Sequence, residues 1–548
     1  MTTFYIQQFG CRATQADGAA LERQLLDRGC TLAPDPSVAN LVVLNTCTVT
    51  AAADAQARDA IRKIHAQNPQ ARLIVTGCYA QRAPEELAQL PGVTHVVGNS
   101  HKPQIPNLVT SIDSAGAGLA PPAAPSPAAL LPDSHDAPLH SFVGGQHVAP
   151  HPGTIPDSAH DFLSSAQILT GDIFAHPEFL SAPIQGGESH RTRPILKIQD
   201  GCNNRCSFCI IPYVRGKSRS LPPNEVIREI QKLTTQHPFQ PANPKVGQPI
   251  LAVRPLAREI PVAQALLPVR FSAEQPTHFP AREIVLSGIN LGTYGRDLSP
   301  RAEFVDLIRR VLDETAIERL RISSIEPQDV TQDLIDLFAQ TDRIAQHFHM
   351  PLQSASNPIL AAMHRWYRSE HYARRVNLIH DRLPNAALGA DIIAGFPGES
   401  ESDHNATLNF IDRRPFTYLH VFSYSPRPGT KAAAAPDQVP SHIIKRRARE
   451  LRALSDQKSA AFRRAQIGRT LRVLTLHRDE HAITEQAGTA YTPALSSNYI
   501  RVQVPGIFPS NEWINVVIRS EEGNYLMAEP VSTLDEFSVP SVFSASSA

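Results

Sequence analysis

"PILKIQDGCNNRCSFC", residues 194–209, runs a short β-rich segment directly into Cys202, Cys206 and Cys209. The chain has only seven cysteines in 548 residues, so three of them this close together demand a chemical reason. Structural zinc usually closes with four ligands, as paired C-x2-C units or with a histidine at similar spacing, and neither accompanies Cys202. A cubane iron–sulfur cluster takes one thiolate per iron, so three cysteines leave one iron open to another ligand. Zinc stays as the alternative.

Beyond the cysteines, "EIVLSG", "LRISSI", "FHMPL", "LGADIIAG" and "LHVFSY" read as strands, separated by helices such as "PNEVIREIQKL" and "FVDLIRRVLDE". This repetition over residues 191–440 predicts a full or partial (β/α) barrel, whose chemistry lies at the carboxyl ends of its strands. Residues 236–280, studded with proline, fall between a helix and the next strand and read as an insertion on the opposite face. A basic helical connector (441–466), a small β-barrel (467–532) and a Ser-rich disordered tail (533–548) complete this half.

Toward the N-terminus, residues 1–103 alternate strands ("FYIQ", "LVVLN", "RLIVTG", "THVVG") with helices ("GAALERQLLDRG", "ADAQARDAIRKIHAQ"). The pattern predicts a doubly wound parallel sheet, so the whole chain is of the α/β class. Cys11, Cys47 and Cys78 each follow a predicted strand, at the carboxyl-end edge where such sheets bind ligands, and are expected to converge. Cys30 reads as a small buried hydrophobe inside a helix. Residues 104–190 are rich in Pro, Ala, Ser and His, with no Lys or Arg between Lys102 and Arg191. They read as a mostly disordered, mildly acidic linker with one short ordered piece near "DFLSSAQIL".

A chain of this length predicts two to four domains. The formal net charge is zero, so binding to a polyanion has to come from local basic patches. The N-terminus lacks the pattern of a secretion signal and no apolar run is long enough for a membrane span, which predicts a soluble, cytoplasmic protein. In that compartment clustered thiols serve as metal or redox ligands more often than as disulfides.

"CNNRCSFC", with Phe208 before the last cysteine, resembles the radical S-adenosylmethionine signature. The resemblance implies a [4Fe-4S] cluster on Cys202, Cys206 and Cys209, with S-adenosyl-L-methionine at the open iron. "LSGIN" (Ser287, Gly288, Asn290) resembles the segment that receives the methionine amino group, "RISSIE" (Ser323, Ser324) the ribose-facing strand end, and "DIIAGFPGES" (Gly395, Phe396, Pro397, Gly398) a later turn near the cofactor. The order of domains resembles the methylthiotransferases, which implies a second [4Fe-4S] cluster on Cys11, Cys47 and Cys78. Around the first triad, "NTCTVTAAAD", "TGCYAQRAPEEL", "KIQDGCNN" and "GINLGTYG" look most like the threonylcarbamoyladenosine tRNA methylthiotransferases. Enzymes acting on isopentenyladenosine tRNA or on ribosomal protein S12 are the alternatives, as is a non-catalytic RNA-binding protein with zinc. At "GCRATQADG" the chain departs from the family, which commonly has Asn at Thr14 and an acidic residue at Ala16 or Gly18.

The last barrel resembles a TRAM domain, which implies contact with a tRNA anticodon loop. Lys445, Arg446, Arg447, Arg449, Arg452, Arg463 and Arg464 of the connector are candidates for phosphate contact. Arg215, Lys217 and Arg219 are candidates for substrate or cofactor anions. A low-potential electron donor such as flavodoxin or ferredoxin, no membrane, and a monomeric state complete the expectations.

Overall fold

Leu41–Thr46, the run LVVLNT, is buried on both faces, as a central parallel strand must be, and the N-terminal sheet is built around it. The computed structural model describes residues 2–109, 166–175, 192–235, 280–477 and 490–531. Six parallel strands stand in the order Thr31–Leu32, Thr3–Gln8, Leu41–Thr46, Arg72–Gly77, Val93–Gly98 and Gln167–Leu169. The order in which successive strands join the sheet reverses between Thr3–Gln8 and Leu41–Thr46, which makes that crevice the ligand-binding switch point of the sheet. Helix Ala51–Gln67 starts on Thr50, whose hydroxyl accepts from the Ala53 amide at 3.2 Å.

The ordered piece expected near "DFLSSAQIL" is the sixth strand of this sheet. Ile105 and Val109, read as linker, are buried in the sheet's core, because this edge of the sheet needs an apolar cover. The rest of the linker, residues 236–279 of the insertion and the tail lie outside the described residues. The first helix begins at Arg12, earlier than the sequence pattern indicated, and ends at Asp27. Cys30 therefore lies beyond that helix, still buried as expected.

In the central domain, Ile195–Lys197, Glu283–Ser287 and Arg319–Ile322 form one parallel sheet, and His347–His349, Ala387–Ala394 and Tyr418–Ser423 another. Parallel bridges from Leu320 to Ile344 and from Ser324 to His349 join them into a partial barrel. Leu196, Leu286, Ile322, Phe348, Ile392 and Leu419 pack outward into the core shared with the helices. Strand alternation then turns Lys197, Ser287, Ser323, His349, Asp391 and His420 inward.

The C-terminal domain is a closed five-stranded barrel. Arg319 and Arg321 tie it to the central domain. Both pair with the buried Glu283 and donate to the carbonyls of Leu495, Ser496 and Ser497, each at 3.1 Å. The connector helix Ser441–Arg464 lies along the last core strand and buries Ala448 and Leu451 there.

Candidate metal centre between two domains

Cys202, Cys206 and Cys209 occupy a loop that begins at Gly201. This glycine sits at φ +70°, and a Cβ on it would lie 2.0 Å from the Lys217 carbonyl oxygen, so only glycine fits. The Ser207 hydroxyl fixes the middle of the loop on the Ala362 carbonyl at 2.7 Å. Donors converge on the sulfurs: the Asn204 amide on Cys202 and the Ile211 amide on Cys209, each at 3.4 Å, the Arg365 guanidinium on Cys206 at 3.4 Å, and the Asn290 amide on Cys202 at 3.8 Å. Such N–H···S contacts favour thiolate over thiol. Without a metal, burial together with Cys206 pushes the Cys209 thiol up to about 12.

Cys11 stands at the N-terminal end of helix Arg12–Asp27, Cys47 follows the central strand, and Cys78 opens helix Cys78–Arg82. Burial, reinforced by Cys78 and then Cys11, raises the Cys47 thiol to about 12, so Cys47 lies within electrostatic reach of both other cysteines. Gly10, at φ +89°, brings the chain against Cys47: a Cβ there would lie 2.4 Å from the Cys47 Cβ. Thr48, beside Cys47, is held by Asp54 at 2.6 Å, by Arg82 at 2.8 Å and, through its carbonyl, by Arg427 of the central domain at 3.0 Å.

The two triads adjoin. Cys78 shares a buried cluster with Ile210 and Val214, residues just past Cys209. Asn99 donates to the Val214 carbonyl at 2.7 Å and to the Cys78 sulfur at 3.6 Å. A buried ion network crosses the same boundary: Asp17 pairs with Lys102, Lys197 and Arg215, and Asp200 with Lys197 and Arg215. Burial raises the Asp17 carboxyl, but Lys102, Lys197 and Arg215 outweigh it and hold the group down at about 2.

The donor chemistry fits a cubane at the loop of Cys202. Three thiols with N–H donors around them stand at a strand end, and polar atoms without a described partner lie beside them. Asn290 Oδ1 and Ser323 Oγ are buried and unpaired among the described residues, as atoms awaiting a polar ligand would be. Ser287 is buried, and a Cβ on Gly288 would lie 2.9 Å from Gln199 Oε1. Ser324 meets His349 Nδ1 at 3.4 Å. Phe208 meets the Phe396 ring edge-on, with centroids 6.2 Å apart. In the turn of Gly395, Pro397 and Gly398, Gly395 lies against the connector helix, since a Cβ on it would strike Ile444.

Two expected anion contacts, Arg215 and Arg447, are corrected by burial, and a third, Arg446, is half-exposed and paired with acids. Arg215 is 2% exposed and both its terminal nitrogens are bound to Asp17 and Asp200, so it holds the domains together and is shut off from RNA. Arg447 is buried against Glu399 and Glu401. Arg446 is held by Glu401 and Glu450. These acids lie far from the connector in sequence or one turn along it, and only packing brought them under the guanidinium groups. Arg219 donates to the Arg215 carbonyl at 2.7 Å and Arg463 pairs with Glu521 at 2.8 Å, whereas Lys217, Lys445, Arg449, Arg452 and Arg464 are exposed.

The inward wall of the central barrel was missed in the sequence. His349 Nε2 and His420 Nδ1 both meet Asp391 Oδ1, at 2.9 and 3.2 Å. Below them His347 stacks on Tyr499 of the C-terminal barrel and bonds the Tyr418 hydroxyl at 2.7 Å. Arg365, paired with Glu326, was missed as well. Strand alternation marks the histidines as facing one way, but nothing in sequence says that this is the inside.

Comparison with known proteins agrees with this architecture. The model described as "Uncharacterized protein family UPF0004" matches residues 3–98 and that of the radical SAM superfamily matches 196–239 and 279–411. The threonylcarbamoyladenosine tRNA methylthiotransferase MtaB of Bacillus subtilis is 31% identical over 509 residues, covering 92% of this chain and 91% of the relative. Its counterpart from Aquifex aeolicus is 29% identical over 93% of this chain and 99% of its own length. The tRNA-2-methylthio-N(6)-dimethylallyladenosine synthase of Syntrophobacter fumaroxidans is 29% identical over 82% and 79%. Among solved structures, the radical S-adenosylmethionine methyltransferase TsrM of Kitasatospora setae shares the fold at TM-score 0.50 and 14% identity, covering 79% of this chain and 77% of its own. The two adjoining cysteine triads thus sit on the framework of a known group of enzymes, and the chain belongs to the radical S-adenosylmethionine methylthiotransferase family.

Proposed function

We propose that this enzyme places a methylthio group on C2 of N6-threonylcarbamoyladenosine at position 37 of tRNA. The observation that carries the reading is the contact between the loops that bear the triads: Cys78 shares a buried cluster with Ile210, the residue after Cys209, at the boundary of the two domains, which favours two clusters serving one substrate. We assign the second [4Fe-4S] cluster to Cys11, Cys47 and Cys78, and the substrate to the space enclosed by the central barrel. When bound, a cluster on Cys202, Cys206 and Cys209 with S-adenosylmethionine supplies radical chemistry, which suits an aromatic C–H that no general base of ordinary pKa removes.

The chain's own residues support the threonylcarbamoyl substrate over an isopentenyl one. The inward wall carries Ser324, His347, His349, Asp391, Tyr418 and His420. A polar side chain with hydroxyl, urea and carboxylate groups finds partners there, whereas an apolar one gains none from a wall of this polarity. Mass spectrometry of tRNA nucleosides after incubation with the reconstituted protein tests the reading. The expected product is the 2-methylthio form of threonylcarbamoyladenosine; methylthiolation of isopentenyladenosine alone, or zinc without labile sulfide in the purified protein, overturns it.

A further inference from the structure

Arg12 directly follows Cys11 and begins the 16-residue helix Arg12–Asp27. Other cations at the domain boundary, Lys102, Lys197 and Arg215, are each fixed on buried aspartates. Arg12 is different: its guanidinium makes one long hydrogen bond, from Nη2 to the Tyr499 hydroxyl at 3.4 Å, and no carboxylate among the described residues pairs with it. A guanidinium has five N–H donors in a planar fork that matches a carboxylate. The bond to Tyr499 aims the group at the aromatic wall, close enough for its charge to act on His347 and Tyr418. Tyr418, His420 and Tyr499 also border a cavity of about 480 Å³ between the last core strand, the connector helix and the C-terminal barrel. The first turn of the helix holds no acidic residue, so an anion beside Arg12 meets no repulsion from that turn and gains from the helix dipole.

We propose that Arg12 receives the carboxylate carried by the N6 substituent of the substrate adenine and so selects an acidic side chain over an apolar one. The inference rests on the threonylcarbamoyl reading above. In adenine, C2 and the N6-bearing carbon flank the same ring nitrogen. A residue adjacent to a thiol that serves C2 is therefore well placed to meet the end of an N6 substituent folded along that edge. An isopentenyl group offers a guanidinium nothing and leaves its donors desolvated.

The test measures binding of the reconstituted full chain to three anticodon stem-loops that differ only at N6 of adenosine 37: threonylcarbamoyl, its methyl ester, and isopentenyl. The wild-type protein is expected to prefer the free carboxylate over the ester by about 30-fold, the scale of a charge-assisted pair. Arg12→Gln should abolish that preference while leaving affinity for the isopentenyl RNA and the iron content unchanged. Arg12→Lys, which keeps the charge, should retain part of it. A wild-type preference that survives in Arg12→Gln overturns the role of Arg12 and leaves the substrate reading intact. Equal loss of affinity for all three RNAs in both variants also overturns it, as a structural effect. A wild-type protein that binds the isopentenyl RNA best overturns the substrate reading itself.

Discussion

Cys78 packs against Ile210 across the boundary between the N-terminal and central domains. One residue belongs to the first triad and the other follows the last cysteine of the second, so the loops that carry the two thiol sets meet at the domain boundary. Their removal should be separable. Replacing Cys202, Cys206 and Cys209 by alanine is expected to lower iron from about eight to about four per chain and to abolish cleavage of S-adenosylmethionine. Replacing Cys11, Cys47 and Cys78 should lower iron equally, retain cleavage and lose methylthio transfer. Iron and sulfide analysis with product chromatography checks both.

Single glycines should reproduce this division. Gly10 and Gly201 have positive φ, and a Cβ on either would strike Cys47 or the Lys217 carbonyl. Gly10→Ala is expected to deplete the first triad of iron and Gly201→Ala the second, each with the other site loaded. Electronic absorption and iron counts of the two purified variants read the outcome.

Removing the carboxylate at Asp17 leaves Lys102, Lys197 and Arg215 buried around a lost partner. Breaking a buried network in this way costs about 3–5 kcal/mol. Asp17→Ala should therefore shift denaturant unfolding to markedly lower concentration. An unfolding midpoint equal to that of the wild type would refute the structural role assigned to this network.

The same aspartate gives the stability an acid dependence of defined sign. Its carboxyl is held at about 2 in the folded protein against 3.8 as the ordinary value. A depressed carboxyl contributes stability that is present above the unfolded value and lost as pH falls through the folded one. About 2 kcal/mol should disappear between pH 4 and pH 2, and Asp17→Ala should flatten that part of the profile. Chemical unfolding as a function of pH measures it.

Arg365 places a guanidinium on the Cys206 sulfur at 3.4 Å, with Glu326 behind it. A buried cation beside a cluster ligand favours the reduced, more negative state. Arg365→Gln is expected to move the midpoint potential of that cluster to a more negative value. Redox titration followed by electron paramagnetic resonance tests this, with an unchanged potential counting against a tuning role.

What the sequence determined is local. C-x3-C-x2-C has meaning without coordinates because its ligands lie on one loop, and strand–helix alternation set the order of the domains. Cys11, Cys47 and Cys78 were legible as one group because parallel strands deliver their carboxyl ends to one edge. What tertiary structure alone decided depends on partners distant in the chain. Arg215 and Arg447 read as free cations until folding set Asp17 and Glu399 against them. The inward wall of His349, Asp391 and His420 formed only when three separate strands curved round one lumen. Charge on an isolated segment gives no hint of whether it will be solvated or neutralised, because desolvation and pairing are properties of the packed interior.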